Sequence, residues 1–253
     1  MFTLYLYPSA LKAEEACAKL IAEQVKKKPN SVLGLATGET MIGVYEYLCK
    51  WEQEGKVDFS QTVTFNLDEY LGLAPNHPDS FYAYMQRHFF SRLRHKPKAS
   101  YILNGIAPDP EKECESFEEE IKKHSGIDLQ LLGLGRNAHI GFNEPGSDFS
   151  SRTRVVNLTE DTRKANLKDL IELKEVPEKA LTMGIKTILE ARFLLLLATG
   201  ENKAKALFKS LTGPVSIKIP GSALLLHPRV VVIADLEAGK LLKENLPVVY
   251  KRS

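Results

Sequence analysis

The stretch that decides the fold is LQLLGLGRNAHIGFNEP, residues 129–145. Its first part, Leu129–Leu134, is a brief apolar run that breaks into Gly133-Leu134-Gly135. An apolar run of this length with no polar alternation reads as a strand buried on both faces. The same unit recurs on either side of it. Upstream, Phe2–Tyr7, Ser31–Leu35 and Val63–Leu67 have strand character. They are separated by Ala10–Lys27 and Met41–Glu54, which carry helical apolar spacing. Ser80–Leu93 reads as an aromatic helix, and Asp109–Lys123 as an acidic helix behind Pro108. Downstream, Pro177–Ala191, Phe193–Ala198, Asn202–Ser210, Val230–Ala234 and Glu237–Leu242 continue the alternation. Short apolar strands alternating with helices predict an α/β fold whose mostly parallel sheet is covered on both faces by right-handed crossovers. There is no internal repeat, low-complexity tract or linker. Gly146–Lys174 is polar and less regular, and reads as a mobile flap over the site.

Bulk properties narrow the function classes. The 253 residues are 43% hydrophobic and 26% charged, with a formal net charge of +2. A chain of this size buries a core without disulfide staples. Its charge is too small to indicate nucleic acid or an anionic membrane as partner. Cys17, Cys49 and Cys114 form an odd, sparse set with no CxxC spacing, which fits a reducing compartment rather than a disulfide framework. Met1–Tyr7 has no basic head leading into a signal-length apolar run, and Phe193–Ala198 is far too short to span a bilayer. The expected location is the cytoplasm.

In open parallel sheets, ligands bind beyond the carboxyl ends of the strands. Four such ends carry unusual polar sequence: Ala36–Thr40, Asp68–Tyr70, Gly133–Glu144 and Thr199–Lys203. The first runs through Thr37, Gly38, Glu39 and Thr40 into a helix. It reads either as an anion site made of free backbone N–H groups at a helix start or as an ordinary strand-to-helix turn with Thr40 as N-cap. It matches neither a Walker loop nor GxGxxG, so a nucleotide is not indicated. In the second, Asp68 and Glu69 are adjacent carboxylates behind a buried strand. A partly dehydrated carboxylate has a raised pKa and serves as a proton base, whereas the plain alternative is a pair of helix-capping or loop acids.

The third end is the most specific. Its glycines admit close backbone approach to a ligand, and His139 exchanges protons near neutral pH. Glu144, five residues on, is placed to orient or charge-stabilise the imidazole, and Asn137 is a second polar arm. A lone histidine is usually structural; a glycine-rich strand exit with two polar companions tips this one towards function. His139 and Glu144 have no second nearby His or Cys, and HExxH is absent, so no metal is expected. No GxSxG elbow or cysteine nucleophile motif is present. Lys203, at the start of a helix beyond Phe193–Ala198, reads either as an anion ligand or as a solvated helix lysine. Arg163 carries the same two readings, and Arg152 and Arg154 read as surface charges.

With these pieces in hand, the sequence resembles the glucosamine-6-phosphate deaminase family. The matching segments are TGET, VTFNLDEYLGL, GLGRNAHIGFNEPGS, SRTRVV, LTEDTR, ALTMGIKTIL, the lysine after ATGEN, and SALLLHP, in the family's order over nearly the whole chain. The resemblance implies one three-layer α/β/α domain over residues 1–253, related to the ribose-phosphate isomerase and phosphogluconolactonase architectures, with no cofactor and no metal. It implies a small-molecule substrate, glucosamine 6-phosphate, converted to fructose 6-phosphate and ammonia. By the same resemblance Asp68 matches the base that moves a proton from C2 to C1, and His139 the group that opens the pyranose ring. Glu144 and Asn137 match its supporting partners, and Lys203, Arg163 and the turn Thr37, Gly38, Glu39 and Thr40 match the phosphate-binding groups.

Several positions depart from the family pattern. Glu39 stands where a small residue is usual, Met41 where proline is usual, and Phe81 where tyrosine is usual. A carboxylate beside a phosphate is repulsive unless it points away. Val156, in place of a lysine two residues after Arg154, together with a short C-terminal end, suggests a non-allosteric enzyme, a monomer or small homo-oligomer. The nearest rival is a 6-phosphogluconolactonase, whose GxDGHTASLFP-like segment differs from GRNAHIGFNEP. A non-catalytic sugar-phosphate sensor is a second rival, which would have no use for Asp68, His139 and Glu144 together.

Overall fold

The computed structural model describes residues 2–245; Met1 and residues 246–253, on which the short C-terminal end rests, lie outside the described residues. The chain alternates strands and helices as β1 (Phe2–Tyr7), α1 (Ala10–Lys27), β2 (Val32–Leu35), α2 (Glu39–Gln53) and β3 (Val63–Asn66). After β4 (Asp68–Tyr70) come α3 (Phe81–His88), β5 (Ala99–Tyr101), α4 (Pro110–Lys123) and β6 (Leu129–Leu132). Then follow β7 (Arg154–Asn157), α5 (Glu160–Asn166), β8 (Lys179–Thr182) and α6 (Ile185–Leu189). The last elements are β9 (Leu194–Ala198), α7 (Ala204–Thr212), β10 (Val230–Asp235) and α8 (Lys240–Asn245).

Seven strands form one sheet in the order β1-β10-β9-β6-β2-β3-β5, parallel throughout. The central strands β2, β3, β6 and β9 are buried at every position, as expected for a sheet sandwiched between helix layers. This is a three-layer α/β/α arrangement. Phe65 of β3 stacks on Tyr101 at 4.7 Å and meets Phe117 of α4 edge-on at 5.4 Å. The chain runs from β2 to β3 in one direction and from β6 through β9 to β10 in the other, so the strand order reverses between β2 and β6. Beyond the carboxyl ends of such neighbours a crevice opens.

Local signals explain the helix boundaries. Ser9 caps α1 by accepting from Lys12 N–H, and Asp109 caps α4 with Pro110 in its first turn, both as helix-start chemistry requires. The aromatic helix is shorter than Ser80–Leu93. Phe89, with φ −135° and ψ −71°, interrupts it before a single 3-10 turn at Phe90–Arg92. Pro177–Ala191 divides into strand β8 and helix α6.

A second sheet was not foreseen. β4, β8 and β7 pair antiparallel in that order, with Asp68 opposite Thr182 and Thr182 opposite Arg154. The chain leaves the main sheet at Asn66 and enters the small one at Asp68 with one residue between. The segment 146–174 supplies β7, α5 and a 3-10 turn at Leu167–Asp169. Leu158, Leu170 and Leu173 of this segment pack with Tyr70, Phe81 and Phe142 in a small separate core.

Candidate active site

The four polar strand exits lie at the ends of β9, β6, β2 and β3, four consecutive strands of the sheet. Sequence separation therefore becomes adjacency. At the β2 exit Gly38 has φ +106°, and it serves as the cap of α2 without a side-chain hydrogen bond. The expectation that Thr40 caps this helix is corrected: Glu39 and Thr40 are its first residues. A helix start without a side-chain cap keeps its N–H groups and positive dipole end for an outside acceptor. The Tyr84 hydroxyl donates to Gly38 O at 2.8 Å and the Tyr45 hydroxyl to Ala36 O at 2.5 Å, which pins the turn. At the β9 exit Gly200 (φ +85°) donates its N–H to both Asp235 carboxylate oxygens, at 3.1 and 3.0 Å, and half-buried Lys203 leads into α7.

The two adjacent acids part company. Glu69 accepts N–H groups from Tyr70 at 2.8 Å, Phe81 at 2.9 Å and Tyr82 at 3.0 Å, so it caps the start of α3. Burial pushes its carboxyl up to about 7, against the pull of those three donors. Asp68, on the opposite face of β4, is 7% exposed. Burial, reinforced by the nearby Glu69 charge, pushes its carboxyl up to about 8. A dehydrated carboxylate in that range is a strong proton acceptor at near-neutral pH.

The loop 133–145 docks beside Asp68. Phe142 N–H donates to Thr182 Oγ1 at 3.0 Å, and the Asn143 amide donates to Ile140 O at 2.9 Å and Met183 O at 2.8 Å. Because Thr182 is paired with Asp68 across the small sheet, this docking brings the loop to the acid. A Cβ placed on Gly141 (φ +55°) would stand 3.0 Å from Thr182 Oγ1 and 3.6 Å from Asp68 Oδ2. Only glycine fits that approach without strain.

Within the loop, the His139 ring lies against Gly135, where an added Cβ would stand 2.3–2.4 Å from three ring atoms. Its Nδ1 is 3.7 Å from Glu144 Oε2. The same Glu144 oxygen accepts from Asn137 Nδ2 at 2.7 Å, while Asn137 Oδ1 accepts from His139 N–H at 3.2 Å. Glu144 Oε1 accepts from the Thr159 hydroxyl at 3.3 Å and from Thr162 in a short bond. Burial raises the Glu144 carboxyl, but His139, Thr162 and Asn137 outweigh it and hold the group down to about 2. Glu144 is thus a fixed negative charge facing the imidazole, a suitable stabiliser of its protonated form.

Asp68, Asn137, His139 and Glu144 therefore share one neighbourhood, and the turn at residues 37–40 and Lys203 border it on adjacent strand exits. Arg163 follows Thr162, a partner of Glu144, and its own side-chain contacts run to residues 175–178. Its Nε donates to Val176 O at 3.0 Å, and its guanidinium lies 3.8 Å from Glu175 and 3.9 Å from Glu178. Lys168 does reach the turn, where it ion-pairs with Glu39. Arg154 is likewise no plain surface charge: it donates to Asn143 Oδ1 at 2.8 Å and to Ser147 Oγ at 3.3 Å, bracing the loop. Thr182, Thr159, Thr162 and Lys168 contact the candidate site and were not singled out as site residues from the sequence. Thr159 alone carried a visible signal, as an N-cap before α5.

The segment 159–173 is fastened at both ends. Thr159 and Thr162 hold Glu144 at its start. Buried Asp79 accepts the N–H groups of Ile171 (a short bond), Glu172 at 3.0 Å and Leu173 at 2.8 Å at its end. Among the described residues, no group of three or more His, Cys, Asp or Glu is placed to hold a metal ion, and no helix is long and apolar enough to cross a membrane. A cavity of about 250 Å³ between α4 and α6 is lined by Glu118, Ile127, Arg152 and Thr187, on the side where β6 begins rather than ends.

Comparison with known proteins follows the same lines. Residues 9–232 match the family described as glucosamine-6-phosphate isomerases/6-phosphogluconolactonase. The glucosamine-6-phosphate deaminase of Thermoanaerobacter pseudethanolicus is 48% identical over 228 residues, 90% of each chain. Glucosamine-6-phosphate deaminase 2 of Bacillus subtilis is 47% identical, covering 91% of this chain and 94% of that one. A solved structure of a monomeric glucosamine-6-phosphate deaminase superposes with a TM-score of 0.91 at 44% identity, over 94% of this chain and 99% of the other. The 6-phosphogluconolactonase of Trypanosoma brucei shares the fold alone, with a TM-score of 0.75 at 17% identity over 96% of this chain and 99% of that one.

Proposed function

Because the chain belongs to the family of glucosamine-6-phosphate isomerases and 6-phosphogluconolactonases, we propose that it is an enzyme converting glucosamine 6-phosphate and water into fructose 6-phosphate and ammonia. Relatives of this activity at nearly half identity over nine-tenths of the chain support the reading. The observation that carries it is a dehydrated Asp68 beside the docked loop on which His139 faces the Glu144 carboxylate.

The chemistry follows from these groups. The turn at residues 37–40 and Lys203 hold the phosphate, whose binding energy positions the sugar for the later steps. His139 moves the proton between the C1 hydroxyl and the ring oxygen, and Glu144 stabilises the imidazolium while Asn137 fixes both. Asp68 then takes the C2 proton of the open aldose. The resulting amino-enol is protonated at C1, leaving an imine at C2, and one water hydrolyses it to the ketose and ammonia. Each positioned proton-transfer group contributes about a hundred- to ten-thousandfold.

The three cysteines are free and buried, which supports a reducing, cytoplasmic setting, with a role in amino-sugar breakdown. A monomer or small homo-oligomer is supported by the monomeric relative. The test is a coupled ammonia assay with glucosamine 6-phosphate, beside the N-acetylated and unphosphorylated sugars. Ammonia from the first alone is expected. Hydrolysis of 6-phosphogluconolactone with no ammonia from any amino sugar would overturn the proposal in favour of the lactonase, and absence of all turnover in favour of a sensor.

A further inference from the structure

One charged contact is left unused by this mechanism. Glu39, the first residue of α2, ion-pairs with Lys168, 129 residues away on the 3-10 turn Leu167–Asp169. The pair joins the proposed phosphate turn to the segment 159–173. It is not what holds that segment in place, because Asp79 at one end and the two threonines on Glu144 at the other already do so. The Glu39 and Lys168 side chains are 68% and 63% exposed. An ion pair this exposed is worth about a fivefold factor at most. The contact is thus weak as a staple but well placed as a charge arrangement: it parks an ammonium group and a single carboxylate beside a helix start that no side chain caps.

We propose that Glu39 is an internal place-holder for the substrate phosphate and that Lys168 is the cation it reserves. Without substrate, the Glu39 carboxylate occupies Lys168. A phosphate group brings a charge of about −1.5 to −2 and three strong acceptors, and so displaces a single carboxylate from the ammonium group. Glu39 then sets how tightly phosphate is held, as a specificity-determining residue acting through Lys168. The inference rests on the proposed reading of residues 37–40 as the phosphate turn. A bare first-turn acid, serving only the helix dipole, would leave phosphate affinity untouched.

The experiment uses the full chain as Glu39→Gln, Lys168→Met and the double variant, with melting temperature as fold control. It measures inorganic phosphate binding by calorimetry and KM for glucosamine 6-phosphate. Glu39→Gln is expected to tighten both about two- to fivefold, and Lys168→Met to weaken both by at least as much. In the Lys168→Met background the gain from Glu39→Gln should shrink to less than half. An equal gain in both backgrounds would overturn the place-holder, leaving simple repulsion, and so would no gain or weaker binding. Because phosphate binding is measured without turnover, a chain that makes no ammonia yet shows the coupled gain loses the deaminase reading and keeps this one. An active deaminase with additive effects does the reverse.

Discussion

Asp68 and Glu69 are consecutive residues whose carboxylates serve opposite faces of one three-residue strand. Glu69 is spent on three backbone N–H groups, its neighbour Tyr70 and the first two residues of α3, and Asp68 is left dry beside the loop that carries His139. The divergence turns a common acid pair into one structural cap and one dehydrated carboxylate, the proposed base. It also explains why Asp68 lacks the backbone donors that would lower its pKa: its neighbour has them.

Asp68→Asn should abolish exchange of the C2 proton with solvent, lowering turnover at least about a hundredfold, while phosphate binding persists. Deuterium wash-in at C2 measures it, and wild-type exchange in the variant would refute the assignment. Stability should move the other way. The native Asp68 pKa is raised from 3.8 to about 8, so between those values the folded state keeps a proton that the unfolded state has lost. Stability from this group is full below about pH 4 and declines as pH rises through 8. Asp68→Asn should therefore melt several degrees higher than wild type near pH 8, with the difference vanishing towards pH 4. In wild type, kcat/KM should rise with pH to a shoulder near 8.

Glu144 has the opposite sign. Its pKa is lowered from 4.5 to about 2, so its stabilisation is complete above pH 4.5 and is lost as pH falls through 2. Glu144→Gln should flatten that acid limb in urea titrations run from pH 5 to 2. It should also slow ring opening, in common with His139→Gln. Turnover of both variants on the cyclic substrate should fall about a hundredfold; an unaffected rate with cyclic substrate would count against the pair.

Gly135→Ala tests position without charge. The added methyl would stand 2.3–2.4 Å from the His139 ring, so the ring must shift. Gly135 is not among the residues with positive φ, so backbone strain is not introduced. A displacement of about 1 Å in a catalytic group costs about a hundredfold. The expected result is that loss in kcat with a melting temperature within about two degrees of wild type.

Asp79→Asn should loosen the end of the segment 159–173 by weakening three hydrogen bonds to a buried carboxylate. Charge-assisted bonds of this kind contribute about 1–3 kcal/mol when removed. Faster amide exchange at residues 171–173 is expected, with a severalfold higher KM. Unchanged exchange would show that the small core around Tyr70 and Phe142 holds the segment by itself.

Much of the fold was legible because its signals are local. α1 begins and ends where the helical spacing does, Asp109 announces α4, and glycines mark the exits of β2, β6 and β9. The four polar exits were also visible as candidate chemistry, as was the His139–Glu144 spacing. The short strands β4 (Asp68–Tyr70) and β7 (Arg154–Asn157) carry charged residues instead of the apolar run that marks β6, so the small antiparallel sheet was not. Nor could neighbouring letters say that Glu69 caps a helix while Asp68 does not, that Arg163 turns to Val176, or that Lys168 meets Glu39. The residues alone determined which groups able to exchange protons and bind anions stand at strand ends, because strands and turns follow from nearest neighbours. Only the tertiary structure decided which of those groups face one another, because contacts between residues a hundred positions apart depend on strand order and sheet pairing.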